Sequence, residues 1–152
     1  MKIIFSTIGK FKSGPELALY EHYAGRVPWK ITLKEFDIKK TLPAPVRKSE
    51  EAKLLLSACE DADHIIVLDE KGQEMSSTAF AGHLQKRRDS GDRAIAFIIG
   101  GADGLDETVR IKAHLLLSLG RTTWPHLLVR GLIAEQLYRA HTIMTNHPYH
   151  RE

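Results

Sequence analysis

The sequence predicts an α/β protein: a mostly parallel sheet with helices on both faces. Three observations carry this. Short apolar runs recur, as at Ile3-Ile4-Phe5, Ile65-Ile66-Val67-Leu68 and Ala94–Ile99. Such continuous runs suit strands covered on both sides. Between them lie segments whose apolar residues repeat every three to four positions, the mark of amphipathic helices. The resulting order, β-α-β-α-β-α-β-α-β-α, is that of α/β units.

The elements follow in order. Lys2–Ile8 reads as a strand stopped by Gly9. Gly14–Val27 reads as a helix, with Pro15 near its start, Leu17, Tyr20 and Ala24 on one face, and Pro28 beyond its end. Ile31–Ile38 has strand composition, and Pro43 and Pro45 place residues 39–46 in a loop. Arg47–Cys59 is expected to be helical, with Ala52, Leu55, Leu56 and Cys59 inward. His64–Leu68 is a short buried strand, and Asp69-Glu70-Lys71-Gly72 a turn. Ser76 or Ser77 caps a helix running to Arg88. After the turn Ser90-Gly91-Asp92 comes a strand to Ile99. A glycine-rich turn, Gly100–Gly104, leads to a short helix from about Asp106 to Ala113. Leu115–Leu117 is the last strand, and Pro125 opens a helix over His126–Thr145.

The 152 residues fit a single domain spanning the whole chain. One cysteine, Cys59, excludes an internal disulfide and fits a reducing cytoplasm. No stretch approaches the ~18 apolar residues of a membrane helix. The net charge is +3 and is unevenly placed. Residues 108–152 carry Arg110, Lys112, Arg121, Arg130, Arg139 and Arg151 against Glu135 and Glu152, and hold five of the eight histidines. Arginine's planar fork suits phosphates and base edges, so this is a modest nucleic-acid signal; a merely solvated basic face accounts for it equally well.

In such a sheet ligands bind at the carboxyl ends of the strands. Three turns lie there: Leu68-Asp69, Gly100–Gly104 and Leu119–Trp124. Neither a G-x-G-x-x-G dinucleotide fingerprint nor a P-loop is present. Apolar walls with glycine backbone suit an adenosine carrying a sulfonium tail better than a phosphate-bearing cofactor, although tight strand-to-helix turns alone would read the same way. Glu135 and Arg139 form an i,i+4 pair, ordinarily a surface ion pair. His147 and His150 are three apart, but Pro148 disfavours a helix there and no carboxylate or thiol joins them, so no metal is expected.

Several stretches resemble one family closely. Ile98–Gly104 is similar to its I-G-G-x-x-G turn. LGRTTWPHLLVR, Leu119–Arg130, is similar to its L-S-x-x-T-x-P-H-x-x-x-R segment. Ala134–Ala140 and Asn146–Glu152 resemble its E-Q-L-Y-R-A and N-H-P-Y-H-R-E ends. The family is the ribosomal RNA large subunit methyltransferase H group of the SPOUT methyltransferases. The resemblance covers the chain end to end and is tightest in the last 55 residues. It implies a SPOUT-type α/β fold with a C-terminal trefoil knot, S-adenosylmethionine bound in a bent form, and a cytoplasmic homodimer whose active site lies at the interface. It also implies methylation of N3 of a pseudouridine in large-subunit (23S) ribosomal RNA. By matching positions, Leu68, Gly100, Leu119, Gly120, Arg121, Thr122, Thr123 and Trp124 line the cofactor. Gly120, Arg121 and Trp124 stand where the family commonly has other residues. Arg139, Tyr149 and His150 are catalytic candidates, and with Arg151 they face the RNA. His150, His126 or a water accepts the proton leaving N3. Two competing readings are a non-catalytic RNA- or ribosome-binding module and a methyltransferase acting on another RNA.

Overall fold

The computed structural model describes residues 1–38 and 41–151. Ten elements alternate: β1 (Lys2–Ile8), α1 (Pro15–Ala24), β2 (Lys30–Phe36), α2 (Ala44–Ser57), β3 (His64–Glu74), α3 (Ser77–Asp89), β4 (Ala94–Ile99), α4 (Glu107–Lys112), β5 (Leu115–Ser118) and α5 (His126–Met144). The five strands form one sheet in the order β2-β1-β4-β3-β5. Every pairing is parallel, so the expected mostly parallel sheet is wholly so.

The pleat divides β1 between two cores. Ile3 and Phe5 pack with Tyr20, Phe80, Leu84, Ile133 and Leu137, under α1, α3 and α5. Ile4 and Ile8 pack with Ala52, Leu55, Cys59 and Val109, under α2 and α4. β4 is buried along its whole length because it lies mid-sheet, between β1 and β3. α5 is wedged between α1 and α3. Gly131 permits the close approach, since a Cβ there would lie 2.8 Å from Leu19 Cδ2.

Beside shifts of one to three residues at the ends of α1, β2 and α2, two stretches differ from expectation. α2 starts at Ala44, not Arg47, with Pro45 in its first turn. The first turn of a helix has no use for its amide hydrogens, so proline is tolerated there. Residues 69–72, expected as a turn, lie within the span of β3. Both Leu68 and Gln73 pair with Leu117, and the residues between them bulge out of register. The local turn chemistry is nonetheless real, because the Lys71 amide donates to Asp69 Oδ1 at 2.9 Å. Gly72 holds the bulge against β5; a Cβ there would sit 2.7 Å from the Leu116 carbonyl carbon. The α3 cap is as expected, with Ser76 Oγ accepting from the Ala79 amide at 3.1 Å.

A cleft and an adjoining hollow at the strand ends

The carboxyl ends of β3, β4 and β5 open into one cleft of about 440 Å³, within the usual range for a small-molecule site. Each loop is shaped by its glycines. Gly100 leaves β4, and a Cβ on it would lie 2.7 Å from Leu105 Cδ2. The Gly104 amide donates back to the Gly101 carbonyl at 3.1 Å, closing the turn. Gly120 has φ +104°, a left-handed conformation that disfavours any side chain. Just before it, Ser118 Oγ accepts from the Gly120 amide at 3.1 Å and lies 3.1 Å from the Glu70 carbonyl oxygen. That hydroxyl ties the last loop to the bulge of β3.

Leu68, Gly100, Leu119, Gly120, Thr122, Thr123 and Trp124 all line this cleft. Arg121 does not join them. It lines a separate recess with Glu70, Lys71, Gly72 and Glu74. Trp124 is 42% exposed, and its indole N–H donates to the Leu119 carbonyl at 3.3 Å. Six charged or titratable residues also line the cleft: Asp69, Glu70, Lys71, Asp103, Arg110 and His126. Arg110 Nε donates to Asp69 Oδ2. Burial pushes the Asp69 carboxyl up, but the bonds from Arg110 and the Lys71 amide outweigh it and hold the group below the usual carboxylate range. His126 is pushed below the ordinary imidazole value by burial and by the neighbouring Arg130, which favours the neutral ring.

Arg130 supports the cleft from behind. Its side chain is fully buried. It donates to Glu35 Oε1, the Ile8 carbonyl and the Gly9 carbonyl, each at 2.8 Å, and its guanidinium lies 4.6 Å from the Phe11 ring centroid. This group clasps α5 to the end of β1.

A second hollow of about 620 Å³ adjoins the cleft and shares Leu117, Leu119, Gly120 and Trp124 with it. Its far wall carries Ser77, Glu135, Gln136 and Arg139. Glu135 is the hub here. It accepts from Arg139 Nε at 3.0 Å, from the Tyr149 hydroxyl at 3.0 Å and from Gln136 Nε2 at 2.8 Å. The Arg139 guanidinium also lies 4.8 Å from the Tyr149 ring centroid and 3.3 Å from His150 Nδ1. The bond to Glu135 raises the Arg139 pKa, so the group stays charged. Burial, with hydrogen bonds to Tyr23 and Glu135, raises that of the Tyr149 hydroxyl, which stays protonated.

The structure thus brings Arg139, Tyr149 and His150 together on one side of α5, while Arg151 is exposed beyond them. Of these four, Arg139 lines the second hollow, and the other three line neither it nor the cleft. Sequence reasoning passed over Glu135 as a surface pair, and over Asp69, Arg110, Ser118 and Gln136. Glu135 falls between apolar positions of the E-Q-L-Y-R-A stretch, a placement that could have flagged it as half-buried.

A parallel α/β sheet with a cleft at the carboxyl ends of its strands is the layout of α/β proteins that bind a small molecule there. Comparison with known proteins makes the assignment specific. The family described as "Predicted SPOUT methyltransferase" matches residues 1–150. The chain belongs to the SPOUT methyltransferase family, within the group of proteins named ribosomal RNA large subunit methyltransferase H. It is 49% identical over 151 residues to the protein of that name from Paramagnetospirillum magneticum, and 48% identical to that of Rhodospirillum centenum. In both cases the match covers 99% of each chain. Among solved structures, a probable methylase family protein from Haemophilus influenzae Rd KW20 shares the fold, with TM-score 0.61 at 13% identity over 99% of this chain and 70% of that one.

Proposed function

We propose that the protein transfers a methyl group from S-adenosylmethionine to N3 of a pseudouridine in 23S ribosomal RNA. The full-length similarity to relatives named for large-subunit ribosomal RNA methylation supports the substrate class. The observation that carries the reading at the level of residues is the convergence of Leu68, Gly100 and Leu119–Trp124 on one cleft whose neighbouring hollow ends at Arg139.

The cleft fits the cofactor's chemistry. Leu68, Leu117 and Leu119 offer apolar walls for an adenine ring, and the Gly100 to Gly104 backbone offers hydrogen bonds without side chains in the way. The pair Asp69–Arg110 offers both charges at the rim for an amino-acid tail. S-Adenosylmethionine supplies an electrophilic methyl on sulfur. In the transfer the N3–H bond breaks and an N3–carbon bond forms, while the carbon–sulfur electrons return to sulfur. The protein's task is to hold nitrogen and methyl in line at roughly 3–3.5 Å. Arg139 stabilises negative charge developing on the ring oxygens. A guanidinium only donates, so His150 Nδ1 accepts from Arg139 and a neutral His150 ring carries its proton on Nε2. His150 therefore accepts the N3 proton only after it swings off Arg139. His126, for which no hydrogen-bond partner is found among the described residues, or a water, is the acceptor otherwise.

The homodimer and the knot belong to the same reading. Neither hollow of a chain is lined by its own Tyr149, His150 or Arg151. That supports a shared site to which a second copy brings its tail. The return of the chain from edge strand β5 to α5, between α1 and α3, supports a threaded C-terminus. The whole chain then acts as one methyltransferase domain in the cytoplasm. No helix among the described residues is long and apolar enough to cross a membrane.

The test is transfer of labelled methyl from S-adenosylmethionine to ribosomes from cells lacking the enzyme, followed by mapping of the modified base. Label on the pseudouridine ring at N3 is expected. No transfer, with no heat of cofactor binding, would leave the binding-module alternative; label on another RNA would redirect the substrate. Light scattering at micromolar concentration is expected to give a dimer, and a monomer would end the shared-site reading.

A further inference from the structure

Arg26 follows α1 and lies far in sequence from Arg139 and the C-terminal tail, yet it stands beside them. Its guanidinium carbon is 4.4 Å from the Tyr138 ring centroid and 5.9 Å from that of Tyr149. Arg139 approaches the same Tyr149 ring at 4.8 Å. Two guanidinium groups therefore share one aromatic ring. Their local anion is already committed, because Glu135 is taken up by Arg139, Tyr149 and Gln136.

Arg26 itself has neither an ion pair nor a side-chain hydrogen bond among the described residues, and it is exposed. An arginine in water is ordinarily a loose, rotamer-rich chain. Here the Tyr138 ring holds the group by cation–π attraction and leaves its five N–H donors without a hydrogen-bond partner among the described residues. A guanidinium held in this way, with its donors free, is preorganised for a forked anionic acceptor and loses little entropy on meeting one. The two like charges near Tyr149 repel each other, a cost that an approaching polyanion relieves.

We propose that Arg26 is a phosphate-binding residue for the substrate RNA, with Tyr138 and Tyr149 as the platform that orients it. The proposal rests on the methyltransferase reading above. It extends the RNA-facing surface from the C-terminal tail onto α1, and it sets the distance between a backbone phosphate and the target ring by the rigid packing of α1 against α5.

The experiment compares wild type, Arg26→Ala and Arg26→Lys in methyl transfer to ribosomes lacking the modification, over a series of salt concentrations. For Arg26→Ala the KM for ribosomes is expected to rise about tenfold with kcat within twofold, the loss anticipated for one phosphate contact. The slope of log kcat/KM against log salt should become shallower by about one unit. Arg26→Lys keeps the charge, so it should keep the wild-type slope while KM recovers only in part. A fall in kcat with KM and slope unchanged would overturn the proposal, since Arg26 would then serve only to place the tail. Unchanged kinetics in both variants would overturn it too. If the wild type itself transfers no methyl, it is the reading of the cleft that has failed, and isothermal titration with S-adenosylmethionine separates that outcome.

Discussion

Replacing Arg130 by methionine should destabilise the protein by about 3 kcal/mol, near the low end of the ~3–5 kcal/mol that follows from breaking a buried ion pair. The figure comes from what is left behind. Arg130 is fully buried, and its removal strips donors from the carbonyls of Ile8 and Gly9 and from Glu35. Glu35 is not wholly abandoned: its side chain is 25% exposed and Oε1 still accepts from the Phe11 amide at 2.7 Å. Methionine fills much of the space, which keeps the cavity cost small. For a chain of this size about 3 kcal/mol corresponds to a fall in Tm of roughly 6–12 °C. The assay is urea unfolding followed by circular dichroism, alongside a thermal scan. Pairing Arg130→Met with Glu35→Leu removes both charges and should recover part of the loss. A single-variant loss below about 1 kcal/mol, the net worth of one ordinary hydrogen bond, would refute the view that Arg130 clasps α5 to β1.

Other expectations can be checked individually. Gly100→Ala places a Cβ 2.7 Å from Leu105 Cδ2, so it should cost about 1–3 kcal/mol by overpacking and weaken S-adenosylmethionine binding in calorimetry; unchanged affinity would separate Gly100 from the cofactor. His64 is buried, lies 3.0 Å from His83 through their Nε2 atoms and stacks on His114 at 5.0 Å. Burial first, then these neighbours, lowers its pKa to about 4. The unfolded chain thus binds the proton more readily. The contribution of His64 is complete above its unfolded value near 6.5 and is lost as pH falls toward 4, by roughly 3 kcal/mol in all. His64→Leu should flatten that part of the stability profile, and a profile parallel to wild type would refute the assignment. Arg139→Ala and His150→Ala should each lower kcat for methyl transfer by about 10² or more while cofactor affinity holds, and full turnover in both would remove them from the chemistry.

Much of the architecture was legible because burial leaves a period in the sequence. The apolar runs of β1, β3 and β4 and the stripe of α5 declared their type, and Gly100–Gly104 and Gly120 marked strand-end turns. The stretches that misled were those where local chemistry and tertiary pairing disagree. Asp69–Gly72 has the composition of a turn and makes one, but β5 captures Gln73 and carries the strand onward. Pro45 reads as a loop residue although it sits where a helix accepts proline. Arg130 read as one more positive charge, yet it is the largest fully buried side chain.

The sequence alone determined the order of strands and helices, the faces they bury and, through motif resemblance, the family. Only the tertiary structure decided that β4 lies between β1 and β3, so that the glycine turn after β4 opens beside the Leu68–Lys71 stretch of β3, with the loop after β5 beyond it. It alone joined Arg130 to Glu35 and Ile8, 95 and 122 positions away, gathered three carbonyl-end loops into one cleft, and set Arg26 against Tyr149. The physical reason is that periodicity records how much of a residue is covered but not by what. Ion pairs and stacked rings between distant elements leave no spacing to read, and they appear only once the chain has folded around them.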